Sequence, residues 1–83
     1  MLYIDDGQAG RHRQAFRSAA KRFWEMHQDE SLYVRANGTG SDGFRVSTRR
    51  DSDQLPSPLV VQIGTDLEGA ILTALEKWWA GRQ

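Results

Sequence analysis

The segment from residue 31 to residue 48 constrains the fold more than any other part of the sequence. Apolar and polar residues alternate along 31–37 and again along 44–48, which is the two-residue period of a half-buried β-strand. The turn-rich sequence Asn37-Gly38-Thr39-Gly40-Ser41-Asp42-Gly43 separates them. The pattern predicts a β-hairpin with Leu32, Val34, Ala36, Phe44 and Val46 on one face.

Helical periodicity flanks this hairpin on both sides. A helix is predicted over residues 8–29, because apolar residues recur there at spacings of three and four: Phe16, Ala19, Ala20, Phe23 and His27. A second helix is predicted to begin at a capping box, with Thr65 as N-cap and Glu68 at the third helical position, and to end near Gly81. Its apolar face consists of Leu67, Ala70, Ile71, Ala74, Leu75 and Trp78.

The remaining segments complete a small α+β domain. Residues 59–63 form a third predicted strand, apolar enough to lie centrally or to be buried on both faces. Pro56 and Pro58 place a loop over 49–58, and residues 1–7 are expected to be irregular or to form a short extra strand. The predicted order is α-β-β-β-α, a single two-layer domain over 1–83. It has a three-stranded antiparallel sheet with both helices on one face.

Composition excludes several classes of protein. The 83 residues contain no cysteine, which rules out a disulfide scaffold or a cysteine-ligated zinc module. No apolar run approaches the roughly 18–20 residues needed to cross a bilayer. The first residues lack the features of a secretory signal, so we expect a soluble, cytoplasmic protein.

The motifs that resemble catalytic or ligand sites have simpler explanations. Residues 38–43 spell G-x-G-x-x-G, but a strand follows where a dinucleotide-binding fold requires a helix. A hairpin loop whose glycines supply positive φ explains them better. His12 and His27 are fifteen residues apart on one predicted helix, too far to share a metal ion. We therefore expect no enzyme, no cofactor, no metal and no small-molecule substrate.

A basic segment is hidden by the zero net charge. Five basic residues and no acidic one lie between Arg11 and Arg22. On the predicted helix, Arg13, Arg17, Lys21 and Trp24 share one side, which we call the basic stripe. A phosphate backbone or an acidic protein surface would bind such a stripe, whereas the alternative is a solvated face with local ion pairs to Glu25.

Two further surfaces are candidates for binding. Tyr33, Arg35 and Arg45 lie on the hairpin face opposite its apolar residues, and Arg with Tyr is typical of interface hot spots. Leu72 and Trp79 lie about 100° from the centre of the last helix's apolar face. They form a dimer patch if exposed, and the alternative is that the core extends around the helix to cover them.

The order α-β-β-β-α resembles that of the double-stranded RNA-binding domain. That family presents a histidine in the loop between its first two strands and a lysine cluster at the start of its last helix. Here that loop, residues 38–43, contains no histidine, and the last helix opens with Thr65-Asp66-Leu67-Glu68. The family's RNA-binding residues are missing, so the chain is not assigned to it.

The sequence alone therefore leaves two candidate functions. The first is a small non-catalytic protein that acts through protein–protein contact, as a homodimeric adaptor or as an inhibitor of the kind that phages and mobile elements encode. The second is a nucleic-acid-binding module that uses the basic stripe and the Arg-bearing face of the hairpin.

Overall fold

Four strands and two helices build the fold. The computed structural model describes residues 1–81, in which the elements are β1 (Leu2–Asp5), a 3-10 turn (Gly10–His12), α1 (Arg13–Met26), β2 (Leu32–Gly40), β3 (Gly43–Arg50), β4 (Ser57–Val61) and α2 (Leu67–Gly81). The sheet order is β1-β2-β3-β4, with β1 parallel to β2 and the other neighbours antiparallel. The molecule is thus a small α+β domain with a mixed four-stranded sheet.

The first strand corrects the predicted three-stranded antiparallel sheet. Leu2–Asp5 pairs in parallel with Leu32–Arg35, and the Leu32 N–H donates to the Met1 carbonyl at 2.9 Å. Two parallel neighbours need a crossover connection, and α1 supplies it. A short extra strand is one of the two alternatives predicted for residues 1–7, but its parallel pairing with β2 is not predicted from the sequence. The order is therefore β-α-β-β-β-α.

The predicted hairpin is present, although its loop is much shorter than expected. Strand β2 continues to Gly40 and β3 begins at Gly43, so the glycine-rich motif is mostly strand. The register shifts between Ala36 and Gly38, which makes Asn37 the extra residue of a β-bulge. Gly43 has a φ of 134°, and a Cβ there would approach the Val61 carbonyl oxygen to 2.5 Å. That position therefore requires glycine.

Strand β4 lies at the edge of the sheet, so the central, doubly buried position was the wrong expectation. Val61 is buried, but Val60 is 53% exposed on the opposite face. Pro58 is paired in register with Ser47 and is tolerated because an edge strand has one side without a partner. The loop before β4 spans 51–56 and is shorter than the predicted 49–58.

Both helices cover the apolar face of the sheet. Phe16 of α1 meets Phe44 of β3 edge-on, with ring centroids 6.0 Å apart, and Phe23 meets Trp79 of α2 at 5.5 Å. The buried cluster combines the predicted faces of both helices with the inward residues of the sheet. The opposite face of the sheet is left without a covering layer among residues 1–81.

Helix α2 begins one residue later than the sequence suggested. The Gly69 N–H donates to Asp66 Oδ1 at 2.9 Å, so Asp66 is the N-cap and Thr65 lies outside the helix. The Glu68 carboxylate, expected to close a capping box, instead accepts from Arg22 Nη1 of α1 at 2.8 Å. The acidic start of α2 thus caps one helix and ties it to the other.

This assignment predicts different effects for two neighbouring substitutions. Asp66→Ala removes the cap and should lower the free energy of unfolding by about 1 kcal/mol. Thr65→Ala removes an exposed side chain and should change it by less than about 0.5 kcal/mol. Urea unfolding followed by circular dichroism measures both, and equal losses would contradict the assignment of Asp66 as the cap.

Candidate functional site

The face of the sheet that the helices leave uncovered carries an ordered row of planar groups, one from each of three strands. The register places Tyr3, Tyr33 and Arg49 side by side. The two tyrosine rings are stacked with centroids 4.6 Å apart and planes inclined by 6°. The Arg49 guanidinium lies 3.9 Å from the centroid of the Tyr33 ring. Since β2 lies between β1 and β3, the Tyr33 ring is held between the other two groups.

The loop after β3 holds this row in place. The Tyr33 hydroxyl donates to Asp51 Oδ1 at 3.2 Å, and Arg49 Nη1 donates to the carbonyl oxygens of Arg50 and Asp53 at 3.3 and 3.5 Å. Partial burial raises the pKa of Tyr33 above its ordinary value of 10.0, and the Asp51 carboxylate raises it further. Tyr33 is therefore a neutral hydrogen-bond donor at physiological pH.

The predicted arginines of this face each have a carboxylate partner. Arg35 Nε lies 3.4 Å from Asp5 Oδ2, and Arg45 Nε lies 3.0 Å from Asp42 Oδ1. Three arginines and three aspartates take part in these contacts, so their formal charges cancel: Arg35, Arg45, Arg49, Asp5, Asp42 and Asp51. Asp53 in the loop after β3 adds a negative charge. The open face therefore has no excess positive charge.

A shallow depression of about 350 Å³ lies on the same face. Its rim includes Tyr3, Tyr33, Arg35, Arg49 and Pro56. Tyr3 is 45% exposed, so a large part of an aromatic ring remains accessible to a ligand. A planar stack beside a depression open to solvent can receive a partner's side chain.

The alternation of the hairpin predicts Tyr33, Arg35 and Arg45 on this face, but it does not predict Tyr3. Tyr3 was missed because its strand is only four residues long, too short for a periodic signal. The same pattern predicts that Arg49 and Arg50 both continue this face into the following loop, and the structure places only Arg49 there. Strand β3 instead includes both, so alternation turns Arg50 towards the helices, with its guanidinium 4.3 Å from the Trp79 ring.

The basic stripe lies on a different surface from Tyr33, Arg35 and Arg45. Arg13, Arg17 and Lys21 are exposed on α1, which packs on the other side of the sheet, and Trp24 is half-buried against the core. Asp6 Oδ2 lies 3.5 Å from Arg13 Nε and 3.1 Å from Arg17 Nη1. The structure thus keeps the two predicted binding surfaces apart.

The Leu72/Trp79 patch is largely part of the core. Trp79 is 5% exposed and packs against Phe23, and its ring is 4.8 Å from that of His27. Leu72 is half-buried at the core's margin. Contact of the remaining surface of Leu72 with a second copy stays a prediction.

The histidine at the end of α1 has a structural environment. His27 Nε2 lies 3.3 Å from Glu76 Oε2, and the ring is partly buried between Phe23 and Trp79. Within residues 1–81, no three side chains of the histidine, aspartate and glutamate types are grouped so that they could hold a metal ion. Neither helix in that range has the length and apolar character to span a bilayer.

Comparison with known proteins gives no match. No protein-family model, curated protein or solved structure is detectably similar to this chain.

The environment of Tyr33 can be tested by alkaline titration. In Tyr3→Phe, Tyr33 is the only tyrosine, and it should ionise above the ordinary tyrosine pKa of 10.0. Adding Asp51→Asn removes the acceptor's charge and should move the pKa down towards that value. Ultraviolet difference absorbance follows both titrations, and an unchanged midpoint in the double variant would contradict the hydrogen bond.

The raised pKa of Tyr33 also determines how this residue changes the free energy of unfolding with pH. Because the pKa of folded Tyr33 lies above that of the unfolded chain, its contribution is fully present below the unfolded pKa. It is lost as the pH rises through the folded pKa. Tyr33→Phe should remove this part of the alkaline loss, as measured by urea unfolding on either side of that range.

Proposed function

We propose that this protein is a non-catalytic protein-binding module that docks a partner protein on the open face of its sheet. The observation that carries the proposal is the Tyr3–Tyr33–Arg49 row, three planar groups aligned on a face that no other element of residues 1–81 covers. Tyrosine and arginine are the residue types enriched at interface hot spots. Because the stack exists before binding, little side-chain entropy is lost on docking.

The balance of charge on the open face favours a protein over a nucleic acid. A nucleic-acid-binding surface gains most of its affinity from cations that replace the counterions of phosphates. Here Arg35 and Arg45 already contact Asp5 and Asp42, and the three aspartates of the face would repel a phosphate backbone. Paired charges around an aromatic centre are instead the ordinary composition of a protein interface.

The shape of the face supports the same partner class. The depression of about 350 Å³ offers room for a partner side chain beside the tyrosine stack, and Val60 presents an exposed apolar surface farther across the sheet. A domain of this size that acts by contact would serve as an adaptor or an inhibitor of its partner.

Affinity capture with matched variants tests the proposal. The immobilised protein is exposed to extract from the cells that encode it, in parallel with Tyr33→Ala, Arg35→Ala and the control Lys77→Ala on the exposed side of α2. A partner that docks on the open face should be retained by the native protein and the control. Each site variant should retain it at least about tenfold less, the loss typical of a hot spot.

Circular dichroism confirms that the variants are folded, and Tyr33→Phe separates the ring from its hydroxyl. Retention of the same protein by all variants would contradict docking on this face. A gel shift with single-stranded or double-stranded nucleic acid, lost steeply as salt is raised, would favour the nucleic-acid function instead.

A further inference from the structure

We propose that the outer edge of β1 accepts an extended acidic segment of a partner protein as a fifth strand, with the basic stripe of α1 binding its carboxylates. This docking place is separate from the open face and does not depend on the function proposed for that face. The proposal rests on two features that lie outside the open face. One is an unprotected edge of the sheet, and the other is a group of cations beside that edge.

The direction of the backbone groups of β1 identifies the edge. The Met1 carbonyl accepts from the Leu32 N–H, so the polar groups of Met1, and of alternate residues after it, point towards β2. The N–H and C=O groups of Leu2 and Ile4 consequently point away from the sheet. Four backbone groups in a row form an edge on which another strand can pair.

The two edges of the sheet differ in how they are protected. Pro58 lies within β4, and Pro56 precedes it, so that edge lacks one N–H and is poorly suited to pairing. Strand β1 has neither proline nor lysine, and its register with β2 contains no bulge. The edge of β1 is therefore the one suited to accept a strand.

The basic stripe lies beside this edge. Arg22 is nine residues after Arg13, which at 100° per residue places it on the opposite side of α1. Arg22 binds Glu68 of α2 at 2.8 Å, so the side of α1 that carries Arg13 faces away from α2 and towards β1. The contacts of Arg13 and Arg17 with Asp6, which directly follows β1, show the same orientation.

The charges of the basic stripe indicate that the added strand is acidic. Arg13, Arg17 and Lys21 supply three positive charges, and Asp6 with the exposed Glu25 one turn after Lys21 supplies two negative charges, which leaves an excess of one. Lys21 forms no salt bridge within residues 1–81. An added strand with acidic side chains at alternate positions would direct them to this cationic side.

Apolar surface adds to the attraction. Leu2, Ile4 and Trp24 are each half-buried at the margin of the core on this side of the molecule. A strand paired to β1 would cover part of that margin and remove it from water.

A second copy of the chain fits the same edge less well. Pairing β1 with another β1 would bring two basic stripes together, and the excess positive charges would repel. A nucleic acid lacks the alternating N–H and C=O groups that pair with a strand edge. The combination of edge and charge therefore points to an acidic polypeptide.

A synthetic peptide provides the direct test. A fluorescein-labelled ten-residue peptide of alternating Glu and Thr should bind the native protein at least about tenfold more tightly than its Lys/Thr counterpart, measured by fluorescence anisotropy. Arg17→Glu should weaken binding of the Glu peptide by about tenfold or more. The control Lys77→Glu has the same change in net charge on α2 and should stay within about twofold.

Amide hydrogen exchange shows where the peptide binds. Saturating Glu/Thr peptide should slow exchange at the Leu2 and Ile4 amides and leave Val60 on the other edge unchanged. Ile4→Pro removes one outward donor, which an edge strand tolerates, and should abolish this binding without unfolding the protein. Circular dichroism checks the fold, and the exchange result for the native protein stands even if that variant is unstable.

Several results would overturn the proposal. They are no binding at millimolar Glu/Thr peptide, binding without protection of Leu2 and Ile4, and displacement of the peptide by a polynucleotide. Protection of the same amides when the protein alone is concentrated would identify a second copy as the occupant. Arg45→Ala changes the open face at a residue whose ion-pair partner, Asp42, is not on β1, and this variant should bind the peptide normally, which separates binding at the edge from binding on the open face.

Discussion

The register of β2 is the constraint on which the rest of the structure depends. This strand pairs with β1 on one side and β3 on the other, and its alternation puts Val34 under the helices and Tyr33 on the open face. A slip of one residue would exchange the two faces. The bulge at Asn37 and the close approach of Gly43 to the Val61 carbonyl fix the register where the hairpin closes.

The zero net charge of the whole chain conceals two surfaces with different local balances of charge. On the open face every arginine has a carboxylate or carbonyl partner, so the charges order the surface and leave no net field. On α1 Arg13 and Arg17 share the Asp6 carboxylate, and Lys21 forms no salt bridge within residues 1–81, so the excess positive charge can act on a ligand. The distribution of charge over the faces therefore bears on function more than the total does.

Periodicity predicted the features that depend on local sequence, namely the hairpin, the buried face of α1 with Phe16 and Phe23, and the outward direction of Tyr33. It missed those that depend on distant partners. Tyr3 joins the stack only because β1 pairs with β2, and Trp79 lies under Arg50 only because β3 runs two residues into the segment expected to be loop. The sequence predicts Thr65 as the N-cap, whereas the structure has Asp66 there. Both side chains can cap a helix, and the backbone conformation determines which of them does so.

The parallel pairing of β1 has a consequence for the order of folding. The hairpin pairs residues that are close in sequence, whereas Leu2 pairs with Leu32 across the whole of α1. Such non-local contacts bear a larger loop-closure entropy, so we expect β1 to join the sheet last and to detach first. Tyr3, one of the two stacked tyrosines, lies on β1. Local opening at β1 would therefore dismantle the aromatic row while the core remained folded.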